Sequence, residues 1–121
     1  MRIRIALLLS ALAALAVIGP ASAARTHSSA TVKIKVVATE YSFTFSKASA
    51  KKGSTVVFTV KNTGAIPHNL VFTSLGKATP MIAPGASKTL TVKFAKAGRF
   101  AYICSVPRHA EQGMAGSFLV K

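Results

Sequence analysis

The chain has 121 residues, 50% of them hydrophobic, and sets 16 lysines and arginines against two acidic residues, a formal net charge of +14. A chain of this length suits one small domain with one core, and a single cysteine rules out an internal disulfide, so stability has to come from packing and from whatever binds the folded state. The charge favours acidic proteins, anionic lipid surfaces or polyanions as partners, but the lysines are spread along the chain, and the absence of any nucleic-acid motif argues against nucleic acid.

Arg2 and Arg4, the apolar run from Ile5 to Ile18 and the small residues Ala21, Ser22 and Ala23 follow the order of an export signal, with cleavage expected after Ala23. The run is shorter than the roughly 20 residues that cross a bilayer, and no cysteine at its end could carry a lipid. Residues 1–23 therefore read as a signal peptide, 24–30 as a flexible mature N-terminus and 31–121 as the folded domain. The protein is expected in the periplasm or outside the cell, with no membrane-spanning segment after cleavage. Removing 23 of the 121 residues leaves 98, with 14 basic residues against Glu40 and Glu111. Cleavage after Ala24 would instead expose Arg25, Thr26 and His27, whose amine, backbone nitrogens and imidazole suit Cu(II); otherwise His27 is a loose terminal histidine.

From Thr31 onwards, alternation dominates. Thr31 to Val37 places Val32, Ile34 and Val36 on one face and Lys33 and Lys35 on the other, the two-residue period of a half-buried strand. Tyr41 to Ser46 repeats the pattern with Tyr41, Phe43 and Phe45, and a third strand carries Val56, Phe58 and Val60. Asn62, Thr63 and Gly64 punctuate the chain before Pro67, His68 and Asn69, and the apolar Leu70, Val71 and Phe72 follow. Two prolines and a glycine mark Ser74 to Pro84 as a long connection. Further strands carry Leu90, Val92 and Phe94, then Arg99 to Cys104, then Ser117 to Lys121. About seven short strands and no amphipathic helix predict an all-β domain, an antiparallel two-sheet sandwich with Greek-key connections.

The chemistry concentrates near the C-terminus, where Cys104-x4-His109-x4-Met114 puts the single cysteine, a histidine and a methionine on one loop. Phe100, Tyr102 and Cys104 share a parity, so the sulfur should leave its strand on the core side, and Pro107 and Gly113 allow the loop to bend His109 and Met114 back towards it. His68 lies between two strands beside Pro67. A thiolate, two imidazoles and a weak thioether make a blue copper donor set. Zinc is less suited to a thioether, and a cysteine protease would need a larger chain and an oriented base. Taken singly, each residue has a plainer role: a structural histidine, a core methionine, a free thiol. Met81 is either a substitute axial donor or a surface residue, and Tyr41 and Tyr102 are expected in the core.

Over Thr31 to Lys121 the chain resembles the cupredoxin family of small blue copper proteins. Asn62 to Asn69 is similar to the plastocyanin and amicyanin segment around the first histidine ligand, and Cys104 to Met114, followed by Ala115 and Gly116, is similar to the auracyanin loop. The resemblance implies a type 1 site with His68, Cys104 and His109 as equatorial copper ligands and Met114 as the axial one, and Asn69 bracing the loop through Ser105. Pro67 stands where azurin has a glycine whose carbonyl approaches copper, so no fifth ligand is expected. Arg108 departs from relatives that carry glycine before the histidine, and would be strained if that position needs a positive φ.

The function expected is single-electron transfer through one Cu(I)/Cu(II) ion, with copper trafficking or storage as the alternative. The partners expected are transient redox proteins with acidic surfaces; membrane-surface contact is compatible with the charge. A monomer that is not itself an enzyme is expected, because His27, His68 and His109 are too few for a second catalytic copper cluster.

Overall fold

A computed structural model describes residues 13–22 and 29–121. The basic start of the export signal, the cleavage position after Ala23 and His27 lie outside the described residues. Residues 13–22 form no regular element and expose Leu15, Val17 and Ile18. Among the described residues, no helix is long and apolar enough to cross a membrane.

The alternating segments form strands, in chain order β1 (Thr31–Thr39), β2 (Ser42–Phe45), β3 (Ser49–Ala50), β4 (Thr55–Asn62), β5 (Val71–Phe72), β6 (Lys77–Ala78), β7 (Ser87–Lys93), β8 (Gly98–Ile103) and β9 (Ala115–Val120). One sheet runs β2-β1-β4-β7 and the other β3-β9-β8-β5-β6. Each strand turns its apolar parity inward: Ile34, Val36 and Ala38 from β1, Val56, Phe58 and Val60 from β4, Leu90 and Val92 from β7, Phe118 and Val120 from β9. The core between the sheets centres on Phe58, whose ring lies 5.2 Å from Phe72 and 5.4 Å from Phe118, centroid to centroid. Aromatic pairs at such separations add to the gain from burial alone.

Three features differ from the expectation. The described residues hold nine strands rather than about seven, because β3 and β6 are two residues each, too short to show a period. The sandwich is mixed rather than antiparallel: β1 pairs with β4 in parallel, and β3 with β9 likewise. A period of two reports which face is buried and is the same for either strand direction. The segment from Ser74 to Pro84 is a tied element rather than a bare connection. It opens within a 3-10 turn at Thr73–Leu75 and includes β6, and the buried Thr79 accepts the Leu70 amide on its hydroxyl (3.0 Å) and donates its own amide to the Leu70 carbonyl (2.9 Å).

This topology assembles the site. The parallel β1 and β4 run together towards one end of the sandwich, and β8 delivers Cys104 to that same end, beside His68.

Candidate metal centre

His68 is held by its backbone before its side chain is considered. It forms an isolated bridge with Ile82, its amide donating to the Ile82 carbonyl (3.2 Å) and its carbonyl accepting from the Ile82 amide (2.8 Å). Asn62, fully buried at the end of β4, supports both sides of this bridge: its side-chain amide donates to the carbonyls of Ile66 (2.8 Å) and Ile82 (2.9 Å), and its oxygen accepts from the Gly64 amide (2.9 Å). Asn62→Ala leaves the Ile66 carbonyl and the Gly64 amide without their side-chain partner, and the Ile82 carbonyl with the His68 amide alone. It should cost about 1–3 kcal/mol in the urea midpoint of the metal-free protein and loosen His68, which a lowered copper affinity would report.

Cys104 directly follows β8 with its sulfur on the core side, and the residue is 1% exposed. The chain then folds back on itself: the His109 amide donates to the Val106 carbonyl (3.1 Å), the Met114 amide to the His109 carbonyl (3.0 Å) and the Cys104 amide to the Met114 carbonyl (3.0 Å). That last bond brings Met114, which is fully buried, alongside Cys104. Met81, by contrast, is 50% exposed, in keeping with a surface role. Asn69 and Ser105 join the two ligand-bearing segments, the Asn69 amide donating to the Ser105 hydroxyl and the Ser105 amide to the Asn69 oxygen, both at 2.8 Å.

The three expected equatorial donors lie together. Nδ1 of His68 is 3.2 Å from Nδ1 of His109, and the Cys104 sulfur is 3.9 Å and 3.6 Å from those two nitrogens. A metal in the plane of three such donors, about 2.0 Å from each nitrogen and about 2.3 Å from sulfur, needs nitrogens about 3.5 Å apart and each nitrogen about 3.7 Å from the sulfur. The triangle is therefore close to its loaded dimensions. One sulfur and two imidazole nitrogens make a donor set that suits copper. Burial lowers the His109 pKa, with a smaller contribution from the neighbouring His68 and an opposing one from Glu40, so the net effect favours the neutral imidazole.

Three residues that the sequence reading did not place at the site border it. Tyr41 meets the His109 ring edge-on at 5.0 Å, so it is a neighbour of the centre as well as a core residue. Its carbonyl oxygen lies 3.4 Å from where a side chain on Gly113 would begin, an ordinary contact, so it is the φ of +114° that favours glycine there. Asn62 reads in the sequence as turn punctuation and as the start of the segment around the first histidine ligand, with no contact of its own to the site. Glu40, directly after β1, accepts on Oε1 from the amides of Ala65 (2.8 Å) and Ile66 (3.0 Å) and lies 3.2 Å from Nε2 of His68. The Ile66 amide leads in holding its carboxyl below the usual carboxylate range. Its rarity was the available signal, as one of two acids in the whole chain.

Arg108 has φ +71°, the left-handed region. The position does favour glycine, and arginine there is strained.

A β-sandwich with a buried cysteine and two imidazoles at one end defines a cupredoxin. The model of the cupredoxin-like domain matches residues 7–116, and the chain belongs to that family. A curated relative, the copper-resistant cuproprotein CopI of Rubrivivax gelatinosus, is 31% identical over 59% of this chain; the chain spans 54% of that protein's length. Among solved structures, dithionite-reduced auracyanin of Roseiflexus castenholzii is 25% identical with a TM-score of 0.57, over 77% of this chain and 98% of its own. A heme-copper terminal oxidase dimer has a TM-score of 0.65 at 19% identity, over 80% of this chain and 68% of its own, a likeness of fold alone. The site in this chain takes one copper ion.

Proposed function

We propose that this protein is an exported carrier of single electrons, with His68, Cys104 and His109 as equatorial ligands and Met114 as the axial one. The observation that supports this most directly is the donor triangle, already at near-loaded dimensions inside a hydrogen-bonded frame. Bound copper supplies one-electron Cu(I)/Cu(II) chemistry. The chain's part is to keep the donors where both oxidation states accept them and to exclude water: His68 is fully buried, Cys104 1% exposed and His109 5% exposed. A frame that cannot follow the geometric preference of either oxidation state keeps reorganisation small.

Electrons would enter and leave near His109, at an end rimmed by the exposed Ile66, Pro67, Met81 and Pro107. A small rim of this kind suits brief encounters with a redox protein by a monomeric carrier that performs no catalysis itself. The partner proposed is acidic, attracted by the basic surface with a strong dependence on salt. Arg108 is the one lysine or arginine on the ligand loop from Cys104 to Met114. Arg108→Gly should lower the reduction potential and weaken partner binding at low salt. It should also raise the stability of the metal-free protein by about 1 kcal/mol, because relief of a left-handed arginine outweighs the added freedom of glycine in the unfolded chain. Voltammetry and urea titration of the variant read both effects.

A second reading is copper trafficking or storage, favoured by the name of the copper-resistance relative. The two readings separate in one experiment. The copper-loaded protein is cycled with ascorbate and ferricyanide in the presence of a Cu(I) chelator. A carrier keeps its copper and regains its colour at each oxidation, whereas a protein that surrenders copper on first reduction is a trafficking protein.

A further inference from the structure

His68 and His109 approach the Cys104 sulfur through Nδ1. For His68 to offer a lone pair there, the single N–H of its neutral ring has to sit on Nε2. Nothing about a histidine ensures this, and the opposite tautomer would point a proton into the donor triangle. Nε2 faces a carboxylate: Glu40 Oε1, at 3.2 Å, an atom that can only accept. The same oxygen is fixed by the Ala65 and Ile66 amides, so it is already in place before His68 turns towards it. A second, separate observation concerns space. A side chain on Gly64 would collide with the Glu40 carboxylate, so the turn leading to His68 is built with room for that group.

We propose that Glu40 is the positioning residue of the copper site: it selects the tautomer of His68 that leaves Nδ1 free, and its negative charge makes that imidazole a stronger donor to Cu(II) than to Cu(I). A carboxylate on the outer nitrogen of a metal-binding imidazole fixes the ring and raises its basicity. This rests on the copper reading above and adds the residue that sets the state of one ligand. In a chain with two acids among 121 residues, one of them spends its carboxylate on the copper end. Glu40 therefore acts against the overall positive charge of the protein, holding the potential below the value that charge alone would set.

Two variants and two readouts test the inference. Glu40→Gln keeps an oxygen for the amides and for His68 but removes the charge; Glu40→Ala removes both. Nitrogen-15 shifts of the imidazole rings in the metal-free protein report the tautomer without any copper. Voltammetry and chelator competition report the potential and the affinity of each oxidation state. Wild type and Glu40→Gln should show His68 with its proton on Nε2, and Glu40→Ala a mixture of tautomers. Glu40→Gln should keep the visible spectrum and lose about tenfold in Cu(II) affinity relative to Cu(I), a rise of about 59 mV for a one-electron couple. Glu40→Ala should lose about 10- to 100-fold in Cu(II) affinity. If Glu40→Ala only lowers the urea midpoint, while tautomer and potential match the wild type, the residue is structural and the inference is overturned. A wild type that takes up no copper would defeat the copper reading, and the tautomer measurement would still decide the role of Glu40.

Discussion

Cys104→Ser will give a folded protein without blue colour. Titrated with Cu(II), the wild type should develop an intense thiolate-to-copper charge-transfer band that saturates at one equivalent, and the variant should show none. The sulfur is the one soft donor in the triangle, and its partners there are the Nδ1 atoms of His68 and His109. A serine hydroxyl is nearly the same size but stays protonated and hard, so it cannot supply the low-energy transition or the short, covalent bond to copper. It can hydrogen-bond to a histidine nitrogen, which keeps the buried position satisfied, and the urea midpoint should move by less than about 1 kcal/mol. Loss of colour with retained stability places the chromophore at Cys104. A weak band in the wild type that survives the substitution would send the copper elsewhere and leave Cys104 as a core thiol.

Phe58→Ala should be the most damaging single substitution in the core. Phe58 lies on β4, an interior strand of its sheet, with no exposure, and its ring touches both layers: Phe45 from β2 at 6.0 Å, Phe72 from β5 at 5.2 Å and Phe118 from β9 at 5.4 Å. Removing a ring from such a place forfeits its burial and leaves a cavity that rigid strands cannot fill, at a cost of about 3–5 kcal/mol. Small domains total about 5–15 kcal/mol, and with one cysteine there is no disulfide to offset the loss. The measurement is the urea midpoint of the metal-free protein, and a loss below about 1 kcal/mol would mean that the sheets close over the gap. Copper should restore part of the stability, because it binds the folded state.

The residues that reveal this protein in its sequence are those whose meaning is local. Val32, Ile34 and Val36 mark β1 because a strand with one buried face must alternate, whatever lies across from it. Cys104, His109 and Met114 are legible because a loop of fixed spacing carries three donor types that few other chemistries combine. The parity of Phe100, Tyr102 and Cys104 even gives the direction of the sulfur. The direction in which β1 meets β4 could not be read in this way, because alternation is blind to strand direction. Nor could β3 and β6, whose order comes from the ladders they join rather than from their own residues. Tyr41 meets His109 from 68 residues away, Glu40 reaches His68 from 28 away and Asn62 reaches Ile82 from 20 away, so only the closed fold makes these contacts. The sequence by itself determined the longer strands and the family and named the candidate donors, because periodicity and ligand type are properties of neighbouring residues. The tertiary structure alone decided the triangle of donors, the strain at Arg108 and the carboxylate behind His68, because those depend on distances between segments that only packing establishes.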